Sequence, residues 1–491
     1  MEPVVTVAEM RVVDEEAARR GETGALVGRA GAAVARGALS MLGGAYGRRV
    51  LVLAGPGNNG ADGRVAADVL ARRGARVSVE APPRAGGGPA DRGGRPAVGS
   101  AVRHLPPVDL VIDAAFGTGL RGGFVAPLPA PGTRVLAVDI PSGVDGDSGV
   151  ARGAPMVADR TVTFAARKPG LLQGDGPDYA GTVSVADIGL PIARARIHMV
   201  EDRDLAELIP RRRRDDNKWS SAVMVVAGSP GMAGAAHLCA RAAFRAGSGM
   251  VRLAVPGMDL ATVGIDEAVS IACPAEGWAD RVLDEAARCG ALVIGPGLGR
   301  SGPTGDEVRR VVAESPVPVV VDADALFALG EVVASIPARS PLVLTPHAGE
   351  YRRLVGRDPG PDRVEAARLL SGRSGAVSLV KGPTTAVAAP AGDVLLGVAG
   401  SSALATAGTG DVLSGVIGAL MARGVTPLAA AGLGAHLHGR AARLGPAEGL
   451  VAGDLPDAIG RFLAEVRSTD RHGPADGRRA VTGGRGPAGR R

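Results

Sequence analysis

RRVLVLA at residues 48–54 runs directly into GPGNNGADG at 55–63, and the fold of the first half of the chain turns on how that junction is read. An apolar run that ends in glycines and then opens a helical pattern is the strand–turn–helix entry of a parallel α/β sheet. Gly55, Gly57 and Gly60 have the spacing of a dinucleotide-binding turn, and Glu80 closes the next apolar run about where a ribose-binding acid would stand. The residues before the third glycine are Asn58 and Asn59, with Asp62 one turn on. A plain dinucleotide turn carries small or apolar residues there. These side chains donate and accept hydrogen bonds, while the amides at the helix start still suit a phosphate. The bland alternative is that the asparagines only cap the helix.

Outward from this junction the pattern repeats. Short apolar runs bounded by Gly and Pro predict strands at 48–54, 75–80, 108–114, 133–139, 161–164 and 182–187, with two helices ahead of them in VAEMRVVDEEAARRG and ALVGRAGAAVARGAL. Such runs with helices between them argue a parallel sheet covered on both faces, a Rossmann-like doubly wound domain. The Gly/Pro/Arg-rich stretch 81–100 reads as a mobile loop. At RRRRDDNKWS (211–220) the pattern restarts, and strands are predicted at 222–228, 250–255, 291–295, 316–323, 341–345, 376–380 and 384–389. Ala-rich helices close the chain near DVLSGVIGALMARG and LAAAGLGAHLHGRAARL. The halves show no repeat, so two different α/β domains are expected, at 1–205 and 211–465, followed by a disordered basic tail at 466–491.

Composition agrees. A chain of 491 residues exceeds one ordinary domain, and 46% apolar residues with only 2% aromatics predict cores of Val, Leu, Ile and Ala. From Ser468 onward six Arg and two Asp leave four of the six net positive charges in the tail. The folded part is nearly balanced and lacks the interleaved aromatics of a nucleic-acid platform, so neither nucleic acid nor membrane is expected as a partner. The three cysteines, 239, 273 and 289, have no metal or disulfide spacing and fit a reducing cytoplasm.

In an open parallel sheet, residues just beyond the carboxyl ends of strands converge on one crevice. Asn59, Asp113 (in VIDAAFGTGL), Asp139 and Ser142 (in VDIPSGVDGDSG) all fall at such ends. Hard oxygen donors of this kind suit an alkali or alkaline-earth cation. Lys168, in FAARKPG, is a further candidate, although by itself it reads as a surface lysine. Taken in order, AEMRVVDEEAARRG, GPGNNGADG, VIDAAFGTGL, VDIPSGVDGDSG and TVTFAARKPGL resemble the N-terminal domain of the bifunctional NAD(P)H-hydrate repair enzymes, the NAD(P)HX epimerase, over residues 1 to about 200. The resemblance implies potassium held by Asn59, Asp113 and Ser142. It implies hydrate bound by Asn58, Asn59, Gly60, Ala61 and Asp62, by Gly117, Thr118, Gly119, Leu120, Arg121, Gly122 and Gly123, and by Asp139. Most relatives have glycine where Ala61 stands. The substrate carries a hydroxyl at C6 of a reduced nicotinamide; loss of hydroxide to an iminium and return of water to the other face inverts that carbon. Asp139 is the expected acid–base group, with Lys168 beside it.

The second half has a sharper mark. Ala407-Gly408-Thr409-Gly410-Asp411 precedes a strong helix, so backbone amides make an anion hole and the aspartate beside it is placed to deprotonate an attacking hydroxyl. The GTGD arrangement resembles the ribokinase-like kinases. With AGSPGMAGAA (227–236), IGPGLGR (294–300), VVVDADAL (319–326), LTPHAGEYRRL (344–354) and LVKGPTTAV (379–387), it resembles the ADP/ATP-dependent NAD(P)H-hydrate dehydratase over roughly 210–465. That resemblance implies hydrate contacts from Gly297, His347 and Asp411. It implies adenine-nucleotide contacts from Lys381, Gly382, Pro383, Thr384, Thr385 and Gly410. The family usually reads HPGE where this chain has HAGE, with Ala348. The expected reaction is phosphorylation of the C6 hydroxyl by ADP or ATP, with magnesium offsetting phosphate charge, followed by loss of phosphate. His436 and His438 read as structural. NADHX and NADPHX are the implied substrates, and such relatives tend to form homo-oligomers.

Three rivals stand beside this reading: a vitamin or sugar kinase with a Rossmann-like partner domain, a non-catalytic RNA-binding or scaffold domain, and a dehydrogenase. The polar set at 59, 113, 139 and 142 argues against a dead site, and no catalytic pair on a substrate domain supports the dehydrogenase.

Overall fold

The computed structural model describes residues 1–83, 103–120, 122–259, 264–335 and 337–471. The 81–100 loop from residue 84, Arg121 and the tail from 472 lie outside the described residues. The closing helix, Leu455–Arg471, runs past the expected boundary at 465.

The first half is built on a six-stranded sheet in the spatial order Arg76–Glu80, Arg49–Ala54, Leu110–Ala114, Arg134–Val138, Arg160–Phe164, Thr182–Ala186. Every pairing in it is parallel. Alternate residues of each central strand enter opposite cores: Val50 and Val52 join one apolar cluster, Leu51 and Leu53 the other. This is why the strands read as continuous apolar runs. From 49–54 the chain moves outward to 76–80, then crosses back to 110–114 on the other side. The switch point therefore opens a crevice between Gly55 and Ala115, where parallel sheets bind ligands. The third glycine is required by this turn: a Cβ on Gly60 would lie 1.8 Å from the Gly55 carbonyl oxygen.

The second half carries an eleven-stranded sheet whose order runs Glu2–Val4, Ile197–Met199, Val394–Gly397, Thr385–Ala388, Val377–Val380, Leu342–Leu344, Val319–Val321, Ala291–Ile294, Ala222–Val226, Met250–Ala254, Val269–Ile271. Seven strands, from Val377–Val380 to Val269–Ile271, are mutually parallel. Two of the eleven come from the first half of the sequence. Glu2–Val4 pairs antiparallel with Ile197–Met199, which lies parallel to Val394–Gly397. Chain order and sheet membership thus part at both ends of the N-terminal unit. Neither short strand was expected, nor were Val269–Ile271 and Val394–Gly397.

The halves are further tied by Gln173, which is 1% exposed. Its Nε2 donates to the Asp147 carbonyl at 2.7 Å and to Asp362 Oδ1 at 3.0 Å. Its Oε1 accepts from the Arg363 and Val364 amides, two orphan donors at the start of helix Arg363–Ser374. Gln173→Ala is expected to lower stability by about 2–4 kcal/mol, because buried polar groups lose their partners. Chemical denaturation measures it, and a midpoint equal to wild type would contradict the clamp.

Candidate active sites

The first site lies at the switch point and opens into a cavity of about 740 Å³. The cavity wall gathers Asn58, Asn59, Asp62, Gly117, Thr118, Gly119, Leu120, Asp139 and Lys168 from four separate stretches of chain, the first of them the opening turn of helix Asn58–Arg72. Gly60 and Ala61 contribute helix backbone behind it. Gly122 and Gly123 lie further on, beside strand Phe124–Val125, and do not line it. Ala61 sits inside helix Asn58–Arg72 and donates an ordinary bond to the Gly57 carbonyl at 3.1 Å, so its methyl group costs the turn nothing. Glu80 points elsewhere and pairs with Arg103.

Asp139 closes strand Arg134–Val138 with φ of 66°. A non-glycine residue held there stores strain on the order of 1–3 kcal/mol. The reason is visible in its partners. Lys168 Nζ reaches Asp139 Oδ1 at 2.5 Å, and Thr163 Oγ1 donates to the same oxygen at 3.0 Å. Lys168 is not a surface residue: it is 1% exposed and also donates to Thr163 Oγ1 and the Phe164 carbonyl. Asp62 faces the pair. Burial, then the charges of Asp139 and Asp14, push its carboxyl up to about 8. Asp14, at the mouth, is raised by burial, opposed by Lys168 and reinforced by Asp139. Asp14 was not singled out from sequence, yet it follows Met10 by four residues and precedes Ala17 by three, both buried. A carboxylate on the apolar stripe of a helix is the signal that was available.

Asp113 and Ser142 meet behind the cavity. Ser142 Oγ donates to Asp113 Oδ1 at 2.6 Å, and its amide donates to Oδ2 at 2.9 Å. Asn59 Nδ2 donates to the Val138 carbonyl at 2.7 Å, leaving its Oδ1 turned toward Gly117, where a Cβ would stand 2.5 Å away. Burial raises the Asp113 carboxyl against the bonds from Ser142 and Ala115, and no described lysine, arginine or histidine pairs with it. One buried carboxylate among neutral oxygens suits a monovalent cation. Among the described residues no group of three His, Cys, Asp or Glu is placed to hold a metal.

The second site is assembled at the carboxyl ends of three adjacent parallel strands. Asp322 follows Val319–Val321, Thr345 follows Leu342–Leu344 and Lys381 follows Val377–Val380. Lys381 Nζ and Thr345 Oγ1 each donate to Asp322 Oδ1 at 2.7 Å; Ser414 Oγ donates to Oδ2 at 2.6 Å. Ala323, next to Asp322, has φ of 49°. The three described non-glycine residues with positive φ, Asp139, Ala165 and Ala323, therefore all flank one of the two Asp–Lys pairs. Ser414 belongs to helix Thr409–Ala422, whose first turn carries Gly410 and Asp411. Burial and the charge of Asp322 push the Asp411 carboxyl up to about 7, partly offset by Lys381.

Gly297 is fixed by its φ of 63° and by Ser229 Oγ on its carbonyl at 2.9 Å. His347 caps helix Ala348–Val355: its Nδ1 accepts from the Gly349 amide at 3.0 Å, and Glu350 bonds back to its amide at 2.9 Å. Ala348 takes the first helical position, where proline also fits. Within 381–385, Thr384 turns away, its hydroxyl donating to the Leu172 carbonyl of the N-terminal unit. Sequence reasoning singled out neither Asp322 nor Ser414, although both lie in motifs it used. It also read the two histidines as structural. His436 pairs with Asp202 at 2.8 Å, but buried His438 packs against the Thr409 backbone, its imidazole pushed down to about 4 by burial and Lys381.

Two α/β units, each with a lysine-bound aspartate and a second carboxylate at a nucleotide-type crevice, define a two-site enzyme. A family model described as YjeF-related protein N-terminus matches residues 23–170, and one described as NAD(P)H-hydrate dehydratase matches 223–464. A bifunctional NAD(P)H-hydrate repair enzyme from Salinibacter ruber is 37% identical over 88% of this chain and 91% of its own. One from Thermofilum pendens is 34% identical over 94% and 97%. The ADP/ATP-dependent NAD(P)H-hydrate dehydratase from Bacillus subtilis, crystallised with ATP and Mg²⁺, matches 55% of this chain and 98% of its own at 27% identity and a TM-score of 0.48. The chain belongs to the bifunctional NAD(P)H-hydrate repair enzymes.

Lys381→Met is expected to cost about 3–5 kcal/mol by leaving Asp322 buried without its cation. Adding Asp322→Asn should recover most of that loss in a denaturant titration. A double variant no more stable than the single would contradict the pairing.

Proposed function

We propose that the first site interconverts the R and S epimers of hydrated NADH and NADPH, and that the second returns the S epimer to the reduced cofactor at the expense of ADP or ATP. The observation that carries this reading is the same at both sites: a buried aspartate bound by a lysine stands beside a carboxyl pushed up to about 8 or about 7. Two carboxyls in different environments are what acid–base chemistry at neutral pH needs.

At the first site the nicotinamide nitrogen expels hydroxide from C6, and water adds to the other face of the iminium. Asp62 holds a proton near neutral pH and is placed to protonate departing hydroxide. Asp139, fixed by Lys168 and Thr163, takes a proton from incoming water; the reverse reaction exchanges these roles. Asn58, Thr118 and the 117–120 backbone orient the hydrate. Asn59 Oδ1, Asp113 and Ser142 would hold potassium, which would supply fixed positive charge against the Asp113 carboxylate.

At the second site Asp411 takes the C6 hydroxyl proton as the oxygen attacks the terminal phosphoryl group of the nucleotide. The amides at Gly410 and the neighbouring turn face the transferred charge, and Lys381 holds Asp322 and the loop to Thr385 in register. The nitrogen lone pair then expels phosphate from C6, and the resulting iminium gives up a proton from C5 to water, which restores the C5–C6 double bond of the dihydropyridine. Gly297 and His347 position the hydrate, and bound magnesium would offset phosphate charge.

Asp139→Asn should cut epimerisation about 10²–10⁴-fold while S-epimer dehydration continues, so conversion of a mixed R/S hydrate stops at the S fraction. Epimerisation at wild-type rate would contradict the assignment. Asp411→Asn should form no reduced cofactor while the epimers still interconvert. Because Asp411 is needed deprotonated and its carboxyl is raised, dehydration should climb with pH and be half-maximal near pH 7. A flat profile from pH 5 to about 9 would contradict the base role. Replacing potassium with tetramethylammonium should slow epimerisation and leave dehydration unchanged.

A further inference from the structure

Two residues beyond Gly297 the same loop enters a separate cleft of about 180 Å³ that the reaction above does not use. Its walls carry three guanidinium groups, from Arg300, Arg309 and Arg353, around the ring of Phe327. Arg300 Cζ lies 4.6 Å from the ring centroid and Arg353 Cζ 3.5 Å, so the Phe327 ring holds both cations in the cleft wall. Asp324 accepts from the Gly299 amide at 3.0 Å and from Arg300 Nε at 2.7 Å, which ties the loop down. Gly299 lines the cleft and lies two residues from Gly297, so the cleft continues from the loop assigned to the hydrate.

The balance of charge in the cleft is positive. Arg300 is matched by Asp324, and Arg309 by Asp306, whose side chain is 75% exposed. Arg353 donates to the Phe327 carbonyl at 3.3 Å and has no carboxylate partner among the described residues. Holding several guanidinium groups around one small space is unfavourable unless an anion offsets them, and planar forks of this kind match phosphate oxygens. The volume admits one phosphate group and excludes a whole nucleotide.

We propose that this cleft receives a phosphate group of the hydrated dinucleotide, so that Arg353 sets substrate affinity from outside the reacting centre. The proposal rests on the dehydratase reading of the second site. The group is either the 2′-phosphate that distinguishes NADPHX, for which arginine is the common partner, or the pyrophosphate common to both hydrates.

The test uses the full chain, with S-NADHX and S-NADPHX assayed separately for wild type, Arg353→Ala and Arg353→Glu. The expected result is a KM raised about tenfold in the alanine variant and further in the glutamate variant, with kcat within about twofold. A rise confined to NADPHX identifies the 2′-phosphate; an equal rise for both identifies the pyrophosphate. KM unchanged for both hydrates in both variants, whatever kcat does, overturns the proposal. Failure of wild type to form any reduced cofactor would instead refute the underlying reaction, before any variant is compared.

Discussion

A lysine fixing a buried aspartate is the contact on which each site depends. Lys168 holds Asp139 and Lys381 holds Asp322, each just beyond the carboxyl end of a parallel strand, with Lys168 buried and Lys381 half-buried. Neither charge is tolerable there alone, since an unpaired ion in a low-dielectric interior costs several kcal/mol. Paired, they leave a fixed negative end facing the crevice. That end, with burial, moves a neighbouring carboxyl into the neutral range: Asp62 in one site, Asp411 in the other. Two unrelated sheets thus reach one electrostatic solution, and the backbone strain at Asp139, Ala165 and Ala323 gathers where that solution is built.

The sheets explain why these groups meet. Parallel strands deliver every loop after a carboxyl end to one edge, so Asp322, Thr345 and Lys381, up to 59 residues apart in sequence, converge on one oxygen pair. The two edges are not independent bodies. Glu2–Val4 and Ile197–Met199 extend the larger sheet, and the segment that carries Lys168 continues within five residues to Leu172 and Gln173, which grip the second unit. A chain that epimerises one form of a damaged cofactor and dehydrates the other gains from holding both crevices on one frame.

Much of this was legible in the sequence because the strands that form the two centres are Val- and Leu-rich runs buried on both faces. Short strands toward the two ends of the larger sheet escaped notice for a physical reason. Glu2–Val4, Ile197–Met199 and Val269–Ile271 each bury only one of three residues, so no apolar run marks them, and they exist through their pairing with neighbours. Motifs fixed where the site residues lie but not which way they face. VVVDADAL offers two aspartates; Asp322 turns to Lys381, whereas Asp324 turns to Gly299 and Arg300. Lys168 and Asp14 sit in stretches that were recognised, yet their burial comes from helices and strands distant in sequence. His438 likewise approaches the GTGD turn only because helix Pro427–Ala442 packs against Thr409–Ala422.

The claim that the lysine-bound aspartates shift their neighbours is tested most directly by carboxyl titration. Infrared difference spectra of the full chain labelled with carboxyl-¹³C aspartate would be recorded against pH, with Asp62→Asn and Asp411→Asn identifying the two bands. The account predicts midpoints near 8 for Asp62 and near 7 for Asp411. Titration of both groups near the ordinary aspartate value of 3.8 would contradict it.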